Sequence, residues 1–460
     1  MQENFSHVFF IGIGGIGMSA LARYFNAKGM QVAGYDRTET VLTQKLQDEG
    51  IAVYYQDERT CIPAPYRVAE DCLVVYTPAI PHDADILSYF REQGFNIKKR
   101  AQVLGLLTQT QESICVAGTH GKTTISTMIG HLLYASEQGC SAFLGGISQN
   151  YQTNLLQDNK SRKVVIEADE FDRSFLNLYP HTAVISAIDA DHLDIYGTHA
   201  ELLDAFRAFS AQIVDEGILL YKEGLDFVPQ VKAQVEVMTY NVDKGDFRTS
   251  NLHLQDGFYH FDFVTPNGVF PDMVLGIPGR VNVENAVAAL AVAYLHGVAI
   301  EDMRKHLASF KGIKRRFEYH VRHQSMVYID DYAHHPEELR ATISSVRAIY
   351  PDRKITGIFQ PHLYTRTQDF ADDFAKALSL LDELWLMPIY PAREAPIPGV
   401  SSELIMSKVV CPVRLMTAEQ IAERLQEAPI QVLLSLGAGD IDRLVPRITE
   451  VLTNRLNTAQ

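Results

Sequence analysis

The amino-acid sequence predicts an α/β protein of three domains, because short apolar segments alternate with segments of helical period along almost all of it. This alternation is typical of parallel strands joined by crossover helices. The chain has 460 residues, which is enough for about two to four domains. Breaks in the pattern predict an N-terminal domain over residues 1–109, a central domain over 110–317 and a C-terminal domain over 318–460.

The N-terminal domain begins with an apolar strand, a glycine-rich turn and a helix. Runs of apolar residues predict strands over 7–12, 31–36 and 72–77, and helical periodicity predicts helices over 15–28 and 38–49. A threonine at the start of the second helix provides an N-cap. This order of elements is that of a Rossmann-like nucleotide-binding domain.

The central domain repeats the order of strand, glycine-rich turn and helix, and is predicted to be P-loop ATPase-like. Its predicted strands are 113–117, 163–168 and 182–188, and its first helix covers 122–135. Residues 251–270 instead alternate apolar and polar side chains. They predict a small antiparallel patch with hairpin turns at Asp256-Gly257 and Asn267-Gly268.

The C-terminal domain is predicted to be Rossmann-like as well, since the same alternation continues to the end of the chain. Its predicted strands are 326–329, 354–359, 383–387 and 431–436. The clearest helical segments between them are 337–349 and 369–381.

The composition excludes several classes of function. A formal net charge of −15 argues against a general binder of nucleic acid or of anionic membranes. The longest apolar run of helical type, 286–295, is far shorter than the ~20 residues that span a bilayer. The five cysteines have no metal-type or redox-type spacing, and no signal peptide precedes the first strand, so we expect a cytoplasmic protein with free thiols.

The most specific motif connects the first strand and first helix of the central domain, and consists of Gly118, Thr119, His120, Gly121, Lys122, Thr123 and Thr124. Its glycines let backbone N–H groups face phosphate oxygens at a helix N-terminus. Lys122 is placed to reach the β- and γ-phosphates of ATP, and the hydroxyl of Thr123 to bind Mg²⁺. Val116 occupies a position where the usual P-loop has glycine, so the turn depends on Gly118.

An acidic segment, residues 167–170, follows the next buried strand of the central domain. Carboxylates at the end of a strand beside a phosphate loop suit Mg²⁺. The loop and this segment together resemble the Mur ligase family, whose phosphate loop has the pattern Gly-Thr-x-Gly-Lys-Thr/Ser. The resemblance extends over nearly the whole chain, and Glu167 matches the family's metal-binding glutamate.

The resemblance to Mur ligases implies roles for further residues of the central domain. His192 matches a histidine that binds a second divalent ion, where imidazole suits Mn²⁺ better than Mg²⁺. Asn282 and Asn285 match an asparagine pair near the base of ATP, although Asn282 is also a candidate N-cap. Arg316, chosen over Arg315, matches an arginine that faces an ATP phosphate.

The N-terminal glycine turn, residues 12–17, has two interpretations. It fits Gly-x-Gly-x-x-Gly, and Asp36 ends the next strand near the spacing of a ribose contact. By itself this favours an NAD(P)-dependent dehydrogenase, but the motif specifies only a pyrophosphate on a helix N-terminus, which a UDP-sugar also has. The resemblance to Mur ligases implies the UDP-sugar, with contacts from Gly14, Gly15, Ile16, Gly17, Asp36 and Thr77.

Three clusters in the C-terminal domain, each after a predicted strand, also resemble one branch of the Mur family. They imply a substrate side built from Asp331, His334, His335, His362 and Arg366. Two residues depart from that branch, because Ala333 and Arg393 stand where many members have glycine. Alanine does not readily adopt a positive φ, so we expect a slightly different turn at Ala333.

The resemblance implies an ATP-dependent ligase of peptidoglycan precursor synthesis. It would join L-alanine to the carboxylate of UDP-N-acetylmuramate through an acyl phosphate and release ADP and phosphate. The implied catalytic residues are Lys122, Glu167, His192 and Arg316, and the implied metal ligands are Thr123, Glu167 and His192. The implied cofactors are ATP and Mg²⁺ or Mn²⁺, and the protein is expected to be a monomer or a homodimer.

Three alternatives remain from the sequence. The first is the NAD(P)-dependent dehydrogenase, which leaves the phosphate loop unexplained. The second is a P-loop regulator or binding module without catalysis. The third is a ligase that adds a preformed murein peptide to the same sugar nucleotide, although the turn at residues 12–17 fits that branch less well.

Overall fold

The structure is a computed structural model that describes residues 5–189, 193–392 and 394–458. It has the predicted α/β class, with three sheets rich in parallel strands and one small additional sheet. The chain packs as two units. The first contains the N-terminal and central sheets, and the second contains the chain from Gly312 onward with the short segments Leu254–Tyr259 and Gly276–Val283. Within the described residues, no helix is long and apolar enough to cross a bilayer.

The N-terminal domain is a five-stranded parallel sheet of order β3-β2-β1-β4-β5. The glycine turn follows the central strand β1, and the strand order changes direction between β1 and β4, which is where open parallel sheets bind their ligands. The strands are β1 (His7–Ile11), β2 (Gln31–Tyr35), β3 (Ala52–Tyr54), β4 (Cys72–Tyr76) and β5 (Asn96–Lys99). The helices are α1 (Ile16–Ala27), α2 (Val41–Asp48), α3 (Asp85–Glu92) and α4 (Arg100–Thr108).

The central domain is a seven-stranded sheet of order β12-β11-β10-β6-β9-β7-β8, parallel except for the pair β7–β8. Its strands are β6 (Glu112–Ala117), β7 (Ser141–Phe143), β8 (Leu155–Leu156), β9 (Lys163–Glu167), β10 (Thr182–Ile185), β11 (Ile218–Lys222) and β12 (Glu236–Tyr240). Its helices are α5 (Lys122–Tyr134), α6 (Leu193–Tyr196), α7 (His199–Ala211), α8 (Arg280–Leu295) and α9 (Ile300–Ser309).

The predicted antiparallel patch is a three-stranded sheet of β13 (Arg248–Gln255), β14 (Phe258–Thr265) and β15 (Gly268–Val274). The turn at Asp256-Gly257 is confirmed, since both residues have positive φ, 53° and 82°. The second predicted turn is wrong by one residue. Pro266 and Asn267 form it, and Gly268 already pairs with Thr265 as the first residue of β15.

The C-terminal domain is a six-stranded sheet of order β16-β17-β21-β18-β19-β20, in which β16 is antiparallel to β17. Its strands are β16 (Glu318–Arg322), β17 (Val327–Asp331), β18 (Ile355–Phe359), β19 (Glu383–Leu386), β20 (Val413–Leu415) and β21 (Val432–Leu436). Its helices are α10 (Pro336–Ile349), α11 (Tyr364–Asp369), α12 (Ala371–Leu378), α13 (Glu403–Met406), α14 (Ala418–Glu427) and α15 (Val445–Thr458).

Differences from the predicted elements occur mainly at their ends. Helix α2 starts at Val41 and its cap is Thr40, whose side chain accepts from the N–H of Thr43, whereas a start at residue 38 was predicted. The N–H of Thr38 instead donates to Asp36 at 3.1 Å. A local turn therefore replaces the first helical turn there, as is common after an aspartate.

The N-terminal and central domains share one hydrophobic core, which runs from Val8 and Phe10 of β1 to Ile166 of β9. On the face between them, the ring of Tyr24 packs against that of Phe143 at 5.3 Å. Burial of apolar side chains against one another is the main stabilising force of such an arrangement. The N-terminal and central domains therefore pack as one unit. Their shared core fixes the glycine loops of the two domains relative to each other.

Candidate active site

The central glycine loop lies between β6 and α5. Gly118 has a φ of 134°, and a Cβ on it would overlap Oγ of Ser186 and lie 2.8 Å from the backbone nitrogen of Ala187. Gly121 immediately precedes α5 with a φ of 84°. Both positions require glycine, because a side chain would be strained or would clash. The loop is therefore folded tightly against the end of β10.

The first turn of α5 is arranged to receive an anion. Gly121 provides no side-chain cap, and the first turn contains no acidic residue. The N–H groups there have no acceptor within the helix and carry partial positive charge. Nζ of Lys122 donates to the carbonyl of Gly118 at 2.7 Å and to Oε1 of Glu170 at 2.8 Å.

The surroundings of Lys122 keep its ammonium group charged. Burial lowers the pKa of Lys122, but the negative charges of Glu170, Asp169 and Glu167 outweigh it and raise the pKa above its ordinary value. Glu170 is itself fully buried, so its charge is weakly screened. A charged lysine beside a helix N-terminus is the arrangement that phosphate groups of a nucleotide need.

Glu167 ends β9, the strand beside β6, and its Oε1 accepts a hydrogen bond of 3.1 Å from the hydroxyl of Thr123. A Cβ on Gly145 would overlap Oε2 of Glu167 and lie 2.6 Å from its Cδ, so the glycine makes room for the carboxylate. A carboxylate and a hydroxyl next to a phosphate loop are hard oxygen ligands. This donor set fits the predicted Mg²⁺.

A third group of polar residues follows β10. The hydroxyl of Thr119 lies 3.4 Å from Oδ2 of Asp189 and accepts from the backbone N–H of Asp189 at 3.1 Å. Nε2 of His120 lies 3.5 Å from the same carboxylate. Asp189 therefore fixes Thr119 through hydrogen bonds, while His120 only lies near the same carboxylate. The predicted metal ligand His192 lies outside the described residues.

The two asparagines predicted near the ATP base belong to α8. Asn282 lies inside the helix as its third residue, and its amide donates to the carbonyl of Pro278 at 2.6 Å. Asn285 is buried, and a Cβ on Gly121 would lie 2.9 Å from its Oδ1. Asn285 therefore stands beside the phosphate loop, and contact of either residue with the base stays a prediction.

The N-terminal glycine loop brings together the residues predicted to bind the sugar nucleotide. A Cβ on Gly12 would lie 2.7 Å from Cγ2 of Thr77, which follows β4. Oδ2 of Asp36 accepts from the backbone N–H of Gly14 at 2.8 Å. Gly15 precedes α1 without a side-chain cap, and the first turn of α1 contains no acidic residue. Asp36 thus holds the loop in shape, a role that the sequence did not indicate.

One residue near this loop was missed by sequence reasoning. The guanidinium of Arg100 lies against Gly17, where a Cβ would overlap Nη1 and lie 3.0 Å from Cζ. Its Nη2 lies 3.7 Å from Oδ2 of Asp169, in the acidic segment of the central domain. A usable signal was present in the sequence: Lys99 and Arg100 form a basic pair at the point where a strand-like run ends and a helix begins.

In the C-terminal unit, Asp331 ends β17 and is almost fully buried. Its two oxygens accept from the N–H groups of Phe317 at 2.7 Å and of Ala333 at 2.8 Å. Burial raises the pKa of Asp331 to about 6, against the lowering effect of Arg316. Ala333 is not among the residues with positive φ, so alanine is compatible with the turn as it is built.

His334 lies directly after this turn. Its Nδ1 is 3.0 Å from the carbonyl of Tyr332 and 3.2 Å from Oε2 of Glu338. Burial lowers the pKa of His334 to about 4 despite Glu338. The imidazole is therefore neutral at pH 7, and because a carbonyl can only accept, the proton sits on Nδ1 and Nε2 is an acceptor.

His362 lies on the same side of the C-terminal sheet, with its ring 6.1 Å from that of His334 and stacked on Tyr390 at 5.8 Å. Burial and the charge of Arg366 lower the pKa of His362 to about 4. Arg366 also lowers the pKa of His334, so the three residues are close enough to interact. The predicted residues Asp331, His334, His362 and Arg366 all lie at the carboxyl edge of this sheet.

His335 has a different environment from His334. Its side chain caps helix α10, where Nδ1 accepts from the N–H of Glu337 at 3.4 Å, and its ring packs on Phe370 at 5.1 Å. These contacts describe a structural role at the helix start. A role of His335 toward substrate stays a prediction.

The two neighbouring arginines differ in what they contact. Arg315 donates to the carbonyl of Gly437 at 2.7 Å and lies 3.4 Å from Asp330. Arg316 is more exposed, and its ion-pair partner Glu338 is 3.8 Å away. The internal bonds of Arg315 occupy its guanidinium, and the predicted contact of Arg316 with an ATP phosphate stays a prediction.

A cluster near Arg315 is the one group of three or more histidine, cysteine, aspartate or glutamate side chains that the described residues bring within metal-binding distance of one another. Ligand atoms of Glu318, His320 and Asp330 lie within 4.8 Å of one another. The guanidinium of Arg315, 3.4 Å from Asp330, already supplies positive charge there. Glu318 also accepts from the backbone N–H of Arg315 at 2.8 Å. The cluster is best explained as an internal ion-pair network.

The fold and the site define a nucleotide-binding enzyme of the P-loop class, with a second glycine loop in its N-terminal domain. Comparison with protein families extends this assignment to the whole chain. Residues 7–112 match the profile described as "Mur ligase family, catalytic domain", residues 116–293 that of the "Mur ligase middle domain", and residues 315–441 that of the "Mur ligase, glutamate ligase domain". The chain belongs to the Mur ligase family.

Individual relatives match over their full length. A UDP-N-acetylmuramate–L-alanine ligase of Phocaeicola vulgatus is 50% identical over 450 residues, 97% of this chain and 98% of the relative. The crystal structure of a UDP-N-acetylmuramate-alanine ligase from Thermotoga maritima is 26% identical with a TM-score of 0.82, covering 99% of this chain and 100% of the other. The crystal structure of a murein peptide ligase of Psychrobacter arcticus is 22% identical with a TM-score of 0.68, and the match covers 97% of this chain and 99% of the other.

Proposed function

We propose that this chain joins L-alanine to the carboxylate of UDP-N-acetylmuramate with consumption of ATP, as a step of peptidoglycan precursor synthesis. One observation carries the proposal: a UDP-N-acetylmuramate–L-alanine ligase is 50% identical to the chain over 97% of its length. The phosphate loop supports it, because Lys122, Thr123 and Glu167 lie together in the arrangement that ATP chemistry needs.

In the first step, the carboxylate of the sugar nucleotide attacks the γ-phosphorus of ATP, so that an acyl phosphate forms and ADP leaves. Lys122 and the N–H groups at the start of α5 would stabilise the negative charge of the transferred group. Thr123 and Glu167 would hold Mg²⁺, which neutralises charge on the phosphate oxygens when it is bound. A protein nucleophile is unnecessary, because positioning and charge stabilisation suffice for phosphoryl transfer.

In the second step, the amine of L-alanine attacks the acyl carbon, the amide bond forms and phosphate leaves. The C-terminal cluster fits an amino acid. Neutral His334 presents Nε2 as an acceptor for an ammonium group, and Arg366 presents a cation for a carboxylate. We assign these two residues to the incoming amino acid, with His362 and Asp331 beside them.

The three alternatives predict different results. A dehydrogenase would bind a nicotinamide cofactor, and a non-catalytic binding module would release no phosphate. A murein peptide ligase would use a preformed peptide in place of L-alanine. Phosphate release should therefore be measured with ATP, Mg²⁺ and UDP-N-acetylmuramate against L-alanine, glycine, L-serine, D-alanine and L-alanyl-γ-D-glutamyl-meso-diaminopimelate.

We expect release that depends on both the sugar nucleotide and L-alanine, and release at least about 100-fold slower from the same mixture with Lys122→Ala. Release with the tripeptide but not with L-alanine would replace the proposal by the peptide ligase. Binding of a nicotinamide cofactor without any phosphate release would replace it by the dehydrogenase. We further propose that the enzyme acts in the cytoplasm, as a monomer or a homodimer, and that its domains have the bounds given above.

A further inference from the structure

Arg100 stands at the junction of the N-terminal and central domains. It follows β5 as the first residue of α4, and about three quarters of its side chain is buried. The two domains share one hydrophobic core, and the packing of that core fixes the position of Arg100. An arginine held in this way is a candidate for a defined binding task.

The environment of Gly17 shows where the guanidinium points. Gly17 is the second residue of α1, within the turn whose N–H groups have no acceptor inside the helix. A Cβ on Gly17 would overlap Nη1 of Arg100 and lie 3.0 Å from Cζ. The third glycine of the motif therefore makes room for the guanidinium beside the helix N-terminus.

Within the part of the chain that the structure describes, most of the hydrogen-bonding capacity of Arg100 is unused. Among the described residues, its polar contact is with Asp169, and the distance of 3.7 Å from Nη2 to Oδ2 is too long for a hydrogen bond. A guanidinium has five N–H donors and pairs with phosphate through two of them at once. The neighbouring Lys99 differs, because it lies 3.1 Å from Asp172 in a normal ion pair.

We propose that Arg100 binds the diphosphate of the sugar nucleotide at the N-terminus of α1, exchanging its long contact with Asp169 for the substrate. The inference rests on the proposed function and names a residue for it outside the glycine motif. The first turn of α1 supplies backbone N–H groups but no charged side chain. Arg100 supplies the full positive charge that this turn lacks.

A purely structural role for Arg100 makes a contrary prediction. If the residue only tied β5–α4 to the acidic segment, removal of either partner would loosen the same contact and weaken substrate binding. If Asp169 instead competes with the diphosphate, its removal frees Arg100 and strengthens binding. The two roles are therefore separated by the sign of the effect of Asp169→Asn.

The test measures the dissociation constants of UDP, UDP-N-acetylmuramate and uridine by calorimetry in wild-type protein and in Arg100→Met, Arg100→Lys and Asp169→Asn. Methionine retains the apolar stem of the arginine and removes the charge. We expect Arg100→Met to raise the dissociation constants of UDP and UDP-N-acetylmuramate about 10- to 100-fold, the effect of losing a charged hydrogen bond. The dissociation constant of uridine should not change. Arg100→Lys should lose less affinity for the two diphosphates, because lysine keeps the positive charge but lacks the planar guanidinium that binds phosphate through two hydrogen bonds.

Asp169→Asn should strengthen UDP binding about two- to fivefold, and this gain should vanish in the double variant with Arg100→Met. Lys99→Met is the matched control, since it breaks the neighbouring ion pair, and it should leave all three constants within twofold. Thermal unfolding of each variant checks that the fold is intact.

Three results would overturn the assignment: unchanged UDP binding in Arg100→Met, weaker binding in Asp169→Asn, or a loss of equal size in Lys99→Met. If Arg100→Met lost affinity for UDP-N-acetylmuramate but not for UDP, Arg100 would contact the carboxylate of the sugar nucleotide, and the assignment to the diphosphate would also be overturned. Failure of the proposed function appears separately, in wild-type protein, as an absence of phosphate release with L-alanine whether or not the two diphosphates bind.

Discussion

The two glycine loops of this chain have the same plan but receive their positive charge by different routes. In the central loop, Lys122 is part of the motif and opens α5. In the N-terminal loop, the first turn of α1 has no charged side chain, and the cation against it is Arg100 of another element. A motif in sequence can therefore be complete, as the central loop is, or can depend on a residue that only the fold supplies.

The carboxylates around the loops differ as well. In the central loop, Glu167 and Glu170 lie beside Thr123 and Lys122, in the arrangement of a metal and phosphate site. In the N-terminal loop, Asp36 binds the N–H of Gly14 and shapes the turn. We infer that the central loop performs chemistry and that the N-terminal loop only binds.

Lys122→Ala should produce the largest effect and tests the chemical role of the central loop. Loss of a preorganised cation at the transferred phosphoryl should lower kcat for phosphate release about 10²- to 10³-fold or more. Lys354→Ala is the matched control, because it breaks a lysine–glutamate pair of 2.7 Å in the C-terminal domain and should leave kcat unchanged. If kcat of Lys122→Ala stayed within threefold of wild type, the central loop would have no chemical role, and the contrast between the two loops would fail.

Glu167→Gln should have the next largest effect. The amide keeps the size of the side chain but loses the charge that attracts Mg²⁺, so the Mg²⁺ concentration for half-maximal activity should rise about 10- to 100-fold. Titration of activity with Mg²⁺ measures it. Glu112→Gln, at the opposite end of the adjacent strand β6, is the control. A rise of equal size in the control would refute a local metal site.

Gly17→Ala tests the dependence of the N-terminal loop on a distant cation. The new Cβ would displace the guanidinium of Arg100, and we expect KM for UDP-N-acetylmuramate to rise about tenfold, the size of one weakened charged contact. The control is the same substitution in a protein that lacks the guanidinium: Gly17→Ala should add little to the KM of Arg100→Met, because the contact that it disturbs is already gone. A further tenfold rise of KM in that double variant would contradict the role of Arg100.

Glu170→Gln should give the smallest effect, visible in the pH dependence of ATP binding. Burial lowers the pKa of Lys122 and the charge of Glu170 raises it, so removal of that charge should lower this pKa. The ammonium group then loses its proton at a lower pH, and ATP affinity should decline earlier on the alkaline side. ATP dissociation constants between pH 7 and pH 10 measure this shift. An alkaline decline at the wild-type pH or above it would contradict it.

Much of the fold followed from patterns within short segments. The strands β1, β6 and β18, the helices α5 and α10, and the first hairpin turn were predicted within a residue or two. The errors arose where two local signals compete, as at Thr38 and Thr40, or where a turn with Pro266 shifts a hairpin by one residue. Short edge strands such as β3, β8 and β20 were missed, because two or three residues carry no detectable period.

By itself, the sequence determined the α/β class, both glycine loops and the residues that carry charge within a motif, because each of these depends on neighbours along the chain. The tertiary structure decided which distant groups meet them: Glu170 with Lys122, Gly145 with Glu167, and Arg100 with Gly17. The physical reason is strand order. Residues at the carboxyl ends of parallel strands become neighbours only when the sheet sets the strands side by side, and that order is not encoded in any short segment.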